Sequence, residues 1–361
     1  MRLNQLFGMA VIASIAAIAP GVAAAQSPFE GRTVRIIINL SPGGATGLQA
    51  QLFANFWQKH MEGNPNFVVE AVTGGAALQG INYVINSAQP DGLTVGWVTT
   101  SAAIRAVGPE EQRVDWSQVA DTVIAGVGSP YVAYGRNDIA PGIETAKDFG
   151  DASDVVLGGT RGTSITSVLA MMGLELLDTP YRYVQGYEGG AEVNAAVLRN
   201  EVNFGVTPPD NYFGSIEQNL VDAGEGLGLW YYAATDENGR IRDVPALEGI
   251  APFDVVYHDI KGEYPSGVDW EALDWVASSA DRLTWMIMAP PDTPAELVAL
   301  LREGFNGVIH DPEYIAAATA ATGAMPSFST PEETRAIIDG IMNVEPEVFE
   351  AARRIIDLSS Q

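Results

Sequence analysis

Two segments of this chain repeat one order: a short apolar strand, a glycine-rich turn, and a helix with one apolar face. The first is Val34-Arg35-Ile36-Ile37-Ile38-Asn39-Leu40, then Ser41-Pro42-Gly43-Gly44-Ala45-Thr46-Gly47, then a helical pattern carrying Leu48, Leu52, Phe56 and Trp57. The second is Asp154-Val155-Val156-Leu157, then Gly158-Gly159-Thr160-Arg161-Gly162-Thr163-Ser164, then Ile165, Val168, Leu169 and Met172 on one helical face. A turn of this kind leaves the first N-H groups of its helix without intrahelical partners, facing open space where an anion can sit. Taken singly, each is a tight turn that glycine makes possible. Two of them, well apart in the chain, predict two lobes whose strand ends face a shared cleft.

The intervening sequence alternates in the same way. Strands are expected at Val34–Leu40, Phe67–Val72, Thr94–Thr99, Val119–Val127, Tyr131–Gly135, Asp154–Leu157, Arg182–Val184, Val202–Val206, Leu227–Ala233 and Trp285–Ala289. Helical periods fall between several of them, at Leu48–His60, Ile81–Ser87, Ile165–Leu177, Ala191–Leu198 and Pro294–Ile309, and the chain beyond Asp269 reads as mainly helical. Alternation of this kind predicts an α/β chain of two lobes, each a mainly parallel sheet flanked by helices. The first lobe is expected over 26–127 and 246–361 and the second over 128–245. Crossovers are expected near 128, at Gly128-Ser129-Pro130, and between 245 and 285, in the Pro- and Gly-rich stretch from Asp243 to Asp269.

Residues 1–25 combine Arg2, an apolar run from Met9 to Ile18 and Ala23-Ala24-Ala25 before Gln26. This predicts an export signal cleaved after Ala25, hence a periplasmic location, because the run falls well short of the roughly 20 residues that span a bilayer. With 0 Cys, the chain has no thiol for a lipid anchor, a disulfide or a nucleophile. The 45 acidic and 19 basic residues give a formal charge of -26, which repels nucleic-acid backbones and anionic membrane surfaces. That field also opposes an anionic ligand, but at 0.1 M salt a Debye length of about 10 Å mutes distant charge inside a cleft.

Other segments are expected to reach the same cleft. Gly75 and Ala76 lie in the glycine-rich stretch after the strand ending at Val72. Thr99, Thr100 and Ser101 follow the strand through Trp97, where hydroxyls either donate to a ligand or cap the next helix. Pro208-Pro209-Asp210 ends a further strand and places Asp210 at its carboxyl end, as a helix cap or a ligand contact. Arg161 is a charge inside the second glycine loop: either a solvated side chain or a partner for a second carboxylate. No Gly-x-Ser-x-Gly elbow, phosphate-loop lysine or His-Glu-x-x-His is present, and His60, His258 and His310 are not at metal-ligand spacing. No cofactor, metal or catalytic residue is therefore expected.

In order along the chain, Val34–Gly47, the Gly-Gly segment near Thr73, Ala88-Gln89-Pro90-Asp91-Gly92, Tyr187-Glu188-Gly189 and Ala289-Pro290-Pro291-Asp292-Thr293-Pro294 resemble the Bug (TctC-type) periplasmic solute-binding receptors of tripartite tricarboxylate transporters. The resemblance spans nearly all of the chain after the signal. It implies a type II-like periplasmic-binding-protein fold that closes on a mono-, di- or tricarboxylate and delivers it, as a monomer, to membrane permease subunits. It assigns Ser41, Pro42, Gly43, Gly44, Ala45 and Thr46 to the first contact loop, beside Thr99, Thr100 and Ser101. Thr160, Gly162, Thr163 and Ser164 come from the opposite lobe, and Tyr187 closes over the ligand. The chain departs from the family in having Gly47 where an aspartate is common, Glu188 where a lysine is common, Arg161 in the second loop, and a longer stretch from Gly239 to Asp269. A carboxylate sensor without a transport role, or an exported α/β enzyme acting on a carboxylate, are the alternatives.

Overall fold

The computed structural model describes residues 27–75, 77–101, 114–322 and 326–358. The expected signal and Ala76 lie outside the described residues. Among the described residues, eleven strands form two sheets. The first holds β1 (Thr33–Ile38), β2 (Asn66–Ala71), β3 (Thr94–Thr99), β4 (Val123–Gly128), β10 (Trp285–Met288) and β11 (Ser327–Ser329), in the order β11-β4-β10-β3-β1-β2. The second holds β5 (Tyr131–Arg136), β6 (Val155–Gly159), β7 (Tyr181–Gln185), β8 (Phe204–Thr207) and β9 (Gly226–Tyr232), in the order β7-β6-β8-β5-β9.

The alternation of side chains along β1 builds the first lobe on both faces of its sheet. Val34, Ile36 and Ile38 face the helix Ala45–His60 and join Phe53, Trp57, Trp97 and Phe305 in one buried cluster. Ile37 faces the other way, among Ile81 and Val84 of the helix Leu78–Asn86. Phe53 is the hub of the first cluster: its ring lies 4.5 Å from that of Phe305, 5.2 Å from Trp97 and Tyr314, and 5.3 Å from Trp57. In the second lobe the helix Ile165–Leu176, buried on most of its surface, packs among Phe149, Phe204, Trp230 and Phe253.

Two expectations change. The sheets are mixed rather than mainly parallel: β1 pairs parallel with β2 and β3, and β6 with β7 and β8, but β10 and β5 run antiparallel to both of their neighbours. The two-residue link Ser129-Pro130 carries the chain directly from β4 in the first sheet to β5 in the second. Beyond residue 245 we propose a division of the lobes other than the one expected. The helices Phe253–Lys261, Val268–Arg282 and Pro346–Leu358 bury Phe253, Trp270, Leu273, Val276, Ala352 and Ile355 with the second sheet, so we place them in the second lobe. Their apolar periods gave no sign of which sheet they cover. The stretch expected to be irregular, 243–269, holds the first of these helices.

Phe53→Ala should therefore cost about 3–5 kcal/mol of stability, the usual range for emptying a large aromatic site. Chemical denaturation monitored by tryptophan fluorescence reads this directly.

Candidate functional site

A cavity of 110 Å³ lies between the two sheets, walled by Leu40, Ala45, Thr46, Ala77, Thr99, Ser101, Tyr131 and Trp285 on one part and Thr160, Arg161, Thr163, Ser164, Glu188 and Asn211 on another. The mixed topology explains why these residues meet. Leu40, Thr99, Thr160 and Pro208 sit at or just beyond the carboxyl ends of β1, β3, β6 and β8. Because β5 and β10 are antiparallel to their neighbours, their amino ends, Tyr131 and Trp285, reach that same edge.

Four helices begin at the cavity wall. The helix Ala45–His60 starts with Ala45 and Thr46, the helix Leu78–Asn86 follows its cap Ala77, the helix Ile165–Leu176 follows Ser164, and the helix Gly190–Leu198 follows Gly189. Only Ser164 caps its helix with a side chain, accepting from Ser167 N at 3.3 Å. At the other three starts no side chain accepts from the first turn, and two of them, at Ala45 and Leu78, carry no acidic residue there. At Ala45 and Gly190 the first amides have no capping side chain, whereas Leu78 N and Gln79 N donate to Gly75 O at 3.0 Å and Gly74 O at 3.3 Å; the positive ends of the helix dipoles face one space.

Buried hydrogen bonds hold this geometry. Asn39, fully buried at the end of β1, donates to the carbonyls of Ala77 and Thr99, both at 3.1 Å, and accepts from Thr99 N at 2.9 Å. One side chain thereby ties three wall segments together. The Trp285 indole donates to Thr46 Oγ1 at 2.8 Å, leaving the Thr46 hydroxyl hydrogen free to donate into the cavity. Thr284 donates to Ala280 O at 2.8 Å and so accepts from Tyr131, 3.3 Å away; burial pushes the Tyr131 phenol above its usual range, keeping it neutral.

Of the residues singled out from sequence, Ala45, Thr46, Thr99, Ser101, Thr160, Arg161, Thr163 and Ser164 line the cavity. The others do not. Ser41, Pro42, Gly43 and Gly44 form the turn above the helix start, closed by Gly44 N donating to Ser41 O at 3.2 Å. Gly75 is likewise off the wall, and Gly162 is buried beneath its loop. Thr100 is fully buried and donates its hydroxyl to Leu283 O at 2.8 Å, so it supports the wall from behind. Tyr187 packs against the second lobe's apolar cluster, and its neighbour Glu188 faces the cavity instead. Asp210 lines a separate 460 Å³ cavity next to the crossover Gly128-Ser129-Pro130. Its Oδ1 accepts from Asn211 N at 2.9 Å while the residue stays 7% exposed. Sequence reasoning missed Asn39, Tyr131, Asn211, Thr284 and Trp285, of which only Asn39, a polar residue ending an apolar strand, carried a visible signal.

The wall carries two charges, Arg161 and Glu188. Glu188 is exposed at the rim, whereas Arg161 is half-buried, and the loss of water lowers its guanidinium pKa against a small opposing pull from Tyr183. Gly47 explains one departure noted above: a Cβ there would run into the Pro42 carbonyl, so the tight turn itself excludes an aspartate. Among the described residues, no group of three or more His, Asp or Glu is arranged to hold a metal, and no helix is long and apolar enough to cross a membrane.

Comparison with solved structures completes the picture. BugD, a periplasmic binding protein, shares 17% identity over 90% of this chain and 97% of its own, with a TM-score of 0.69. The adipate-bound Rpa4515 of R. palustris shares 16% identity over 89% of this chain and 97% of its own, at 0.68. MatC from Rhodopseudomonas palustris, with bound malate, shares 14% over 89% of this chain and 99% of its own, at 0.65. The chain has the fold of the Bug-type periplasmic binding proteins. No family model and no curated protein sequence matches it.

Two outcomes follow from the geometry. In Gly44→Asp the new Cβ meets nothing closer than Ser41 O at 3.7 Å, so folding should be kept, while the added anion among free amides should weaken anion binding more than about tenfold. Gly47→Ala should instead disrupt the turn, which a paired measurement of melting temperature and affinity separates. Burial raises the Asp210 carboxyl to about 6, so the native state binds a proton that the unfolded state releases nearer 3.8. This group therefore costs stability above about pH 6, and the cost is relieved as pH falls towards 4. The stability advantage of Asp210→Asn should grow between about pH 4 and 6 and level off above, as read by denaturation at a series of pH values.

Proposed function

We propose that this chain is an exported solute-binding receptor of the Bug (TctC) type, which captures a small organic carboxylate between its lobes and delivers it to a membrane permease of the tripartite tricarboxylate kind. The observation that carries the reading is the convergence of four helix starts on one small cavity, with hydroxyl donors and a single cation on its wall. An array of amides and hydroxyls holds a carboxylate without needing an opposing ion pair. Thr160 and Thr163 make no side-chain hydrogen bond to another described residue, which leaves their hydroxyls for a ligand.

Delivery requires release, and the fold supplies a means. Ser41 of the first lobe approaches the second lobe closely: a Cβ added at Gly189 would lie 3.1 Å from Ser41 Oγ. The lobes are thus drawn together over the cavity, and opening must occur at the chain crossovers, the shortest being Ser129-Pro130. A ligand that touches both lobes favours the closed form by the difference in its affinity for the two states. The carboxylates bound by MatC and Rpa4515, malate and adipate, support the ligand class. Residues 1–25 supply the export signal in this reading, and the site residues are those on the wall rather than the glycines of the turn.

A thermal-shift screen of organic acids tests the reading. A bound acid at about 100 times its dissociation constant should add about 2.7 kcal/mol of stability. If an uncharged sugar or an amine shifts the melting point and no carboxylate does, the reading is wrong.

A further inference from the structure

We propose that Arg161 sets the specificity of this cleft by pairing with the second carboxylate of a short linear dicarboxylate. This rests on the carboxylate-receptor reading above and narrows it. The chain has 45 acidic residues, and its arginines use them freely: Arg35, Arg136, Arg199, Arg240, Arg242, Arg335, Arg353 and Arg354 each form an ion pair. Arg302 donates to the carbonyls of Asp121 and Val123. Among the described residues Arg32, Arg161, Arg182 and Arg282 have no such partner, and of these only Arg161 is not exposed. A half-buried guanidinium that forms no ion pair with any described carboxylate in so acidic a chain is a cation whose partner comes from outside.

Position decides what that partner is. Arg161 sits in the second lobe's glycine loop and shares the cavity wall with the helix start at Ala45, whose first amides have no capping side chain and no full charge beside them. One carboxylate on those amides leaves the far end of the ligand at the guanidinium, whose planar fork accepts a carboxylate through two parallel hydrogen bonds. The cavity is small, 110 Å³, and opens at its rim, which favours a short linear diacid over a branched, bulkier acid such as citrate. Glu188 at the rim adds repulsion against a third carboxylate and against any anion left pointing outward.

The test measures affinities by isothermal titration for succinate and adipate, for butyrate and hexanoate as single-carboxylate counterparts of equal length, and for citrate. Wild-type protein should prefer each dicarboxylate over its counterpart by about 10- to 100-fold and should bind citrate least. Arg161→Met should abolish most of that preference while leaving binding of the monocarboxylates nearly unchanged, and Arg161→Lys should keep part of it. Glu188→Gln, at an exposed position, is insensitive to folding losses and should raise the dicarboxylate preference several-fold, less so at high salt. Equal affinity for mono- and dicarboxylates, tight citrate binding, or an unchanged preference in Arg161→Met overturns the proposal while leaving a carboxylate receptor in place. If none of these acids binds, both readings fall together.

Discussion

Asn39 carries the constraint on which the cleft depends. A buried amide side chain has to satisfy its donors and acceptor within the protein, and Asn39 does so through the backbones of Ala77 and Thr99. The end of β1, the end of β3 and the start of the helix Leu78–Asn86 are thereby fixed relative to one another. A non-polar residue at this position would leave three backbone groups to be satisfied elsewhere, at a site from which water is excluded. The Trp285 to Thr46 hydrogen bond extends the same frame to β10 and to the helix Ala45–His60. The amides that face the cavity are held in place by bonds that do not themselves involve the ligand, and so need no reorganisation when an anion arrives.

How much of this could be read in the sequence follows from which signals are local. Both strand, turn and helix units announced themselves, because apolar runs and glycine turns are properties of neighbouring residues. β3 falls at Thr94–Thr99 as expected, and β1, β6 and the helix Ile165–Leu176 lie within a few residues of expectation. What escaped were relations between distant segments. The direction of β5 and β10 depends on how the chain passes from one sheet to the other, and the antiparallel entry of those strands is what brings Tyr131 and Trp285 to the cleft. The helices Val268–Arg282 and Pro346–Leu358 have apolar faces that either lobe could have covered. Tyr187 and Glu188 show the same limit at the scale of one residue: adjacent side chains leave the backbone in different directions, and only packing chose which met the apolar cluster.

Charge works at two ranges in this molecule. The formal -26 is spread over the surface, where solvent and salt screen it, and Arg35, Arg136, Arg199, Arg335, Arg353 and Arg354 pair with surface carboxylates in contacts worth little in stability. Inside the cleft the balance is set by a few groups in a less polar medium: helix ends, hydroxyls, Arg161 and, at the rim, Glu188. Short-range terms therefore decide what binds, while the surface field slows the approach of any anion and makes its arrival depend on ionic strength.

Gly47 joins the local and the global constraints. Its lack of a side chain lets the Pro42 carbonyl press against the first turn of the helix, which tightens the Ser41–Gly44 turn and brings Ser41 up to the opposite lobe at Gly189. An aspartate there, as the family resemblance leads one to expect, would have placed a negative charge at the same helix start as Thr46. Its absence removes both a bulky obstacle and a competing anion from the amides. The first loop then offers its backbone amides and the Thr46 hydroxyl without a charge, and the charged side chains of the cavity wall, Arg161 and Glu188, stand on the second lobe.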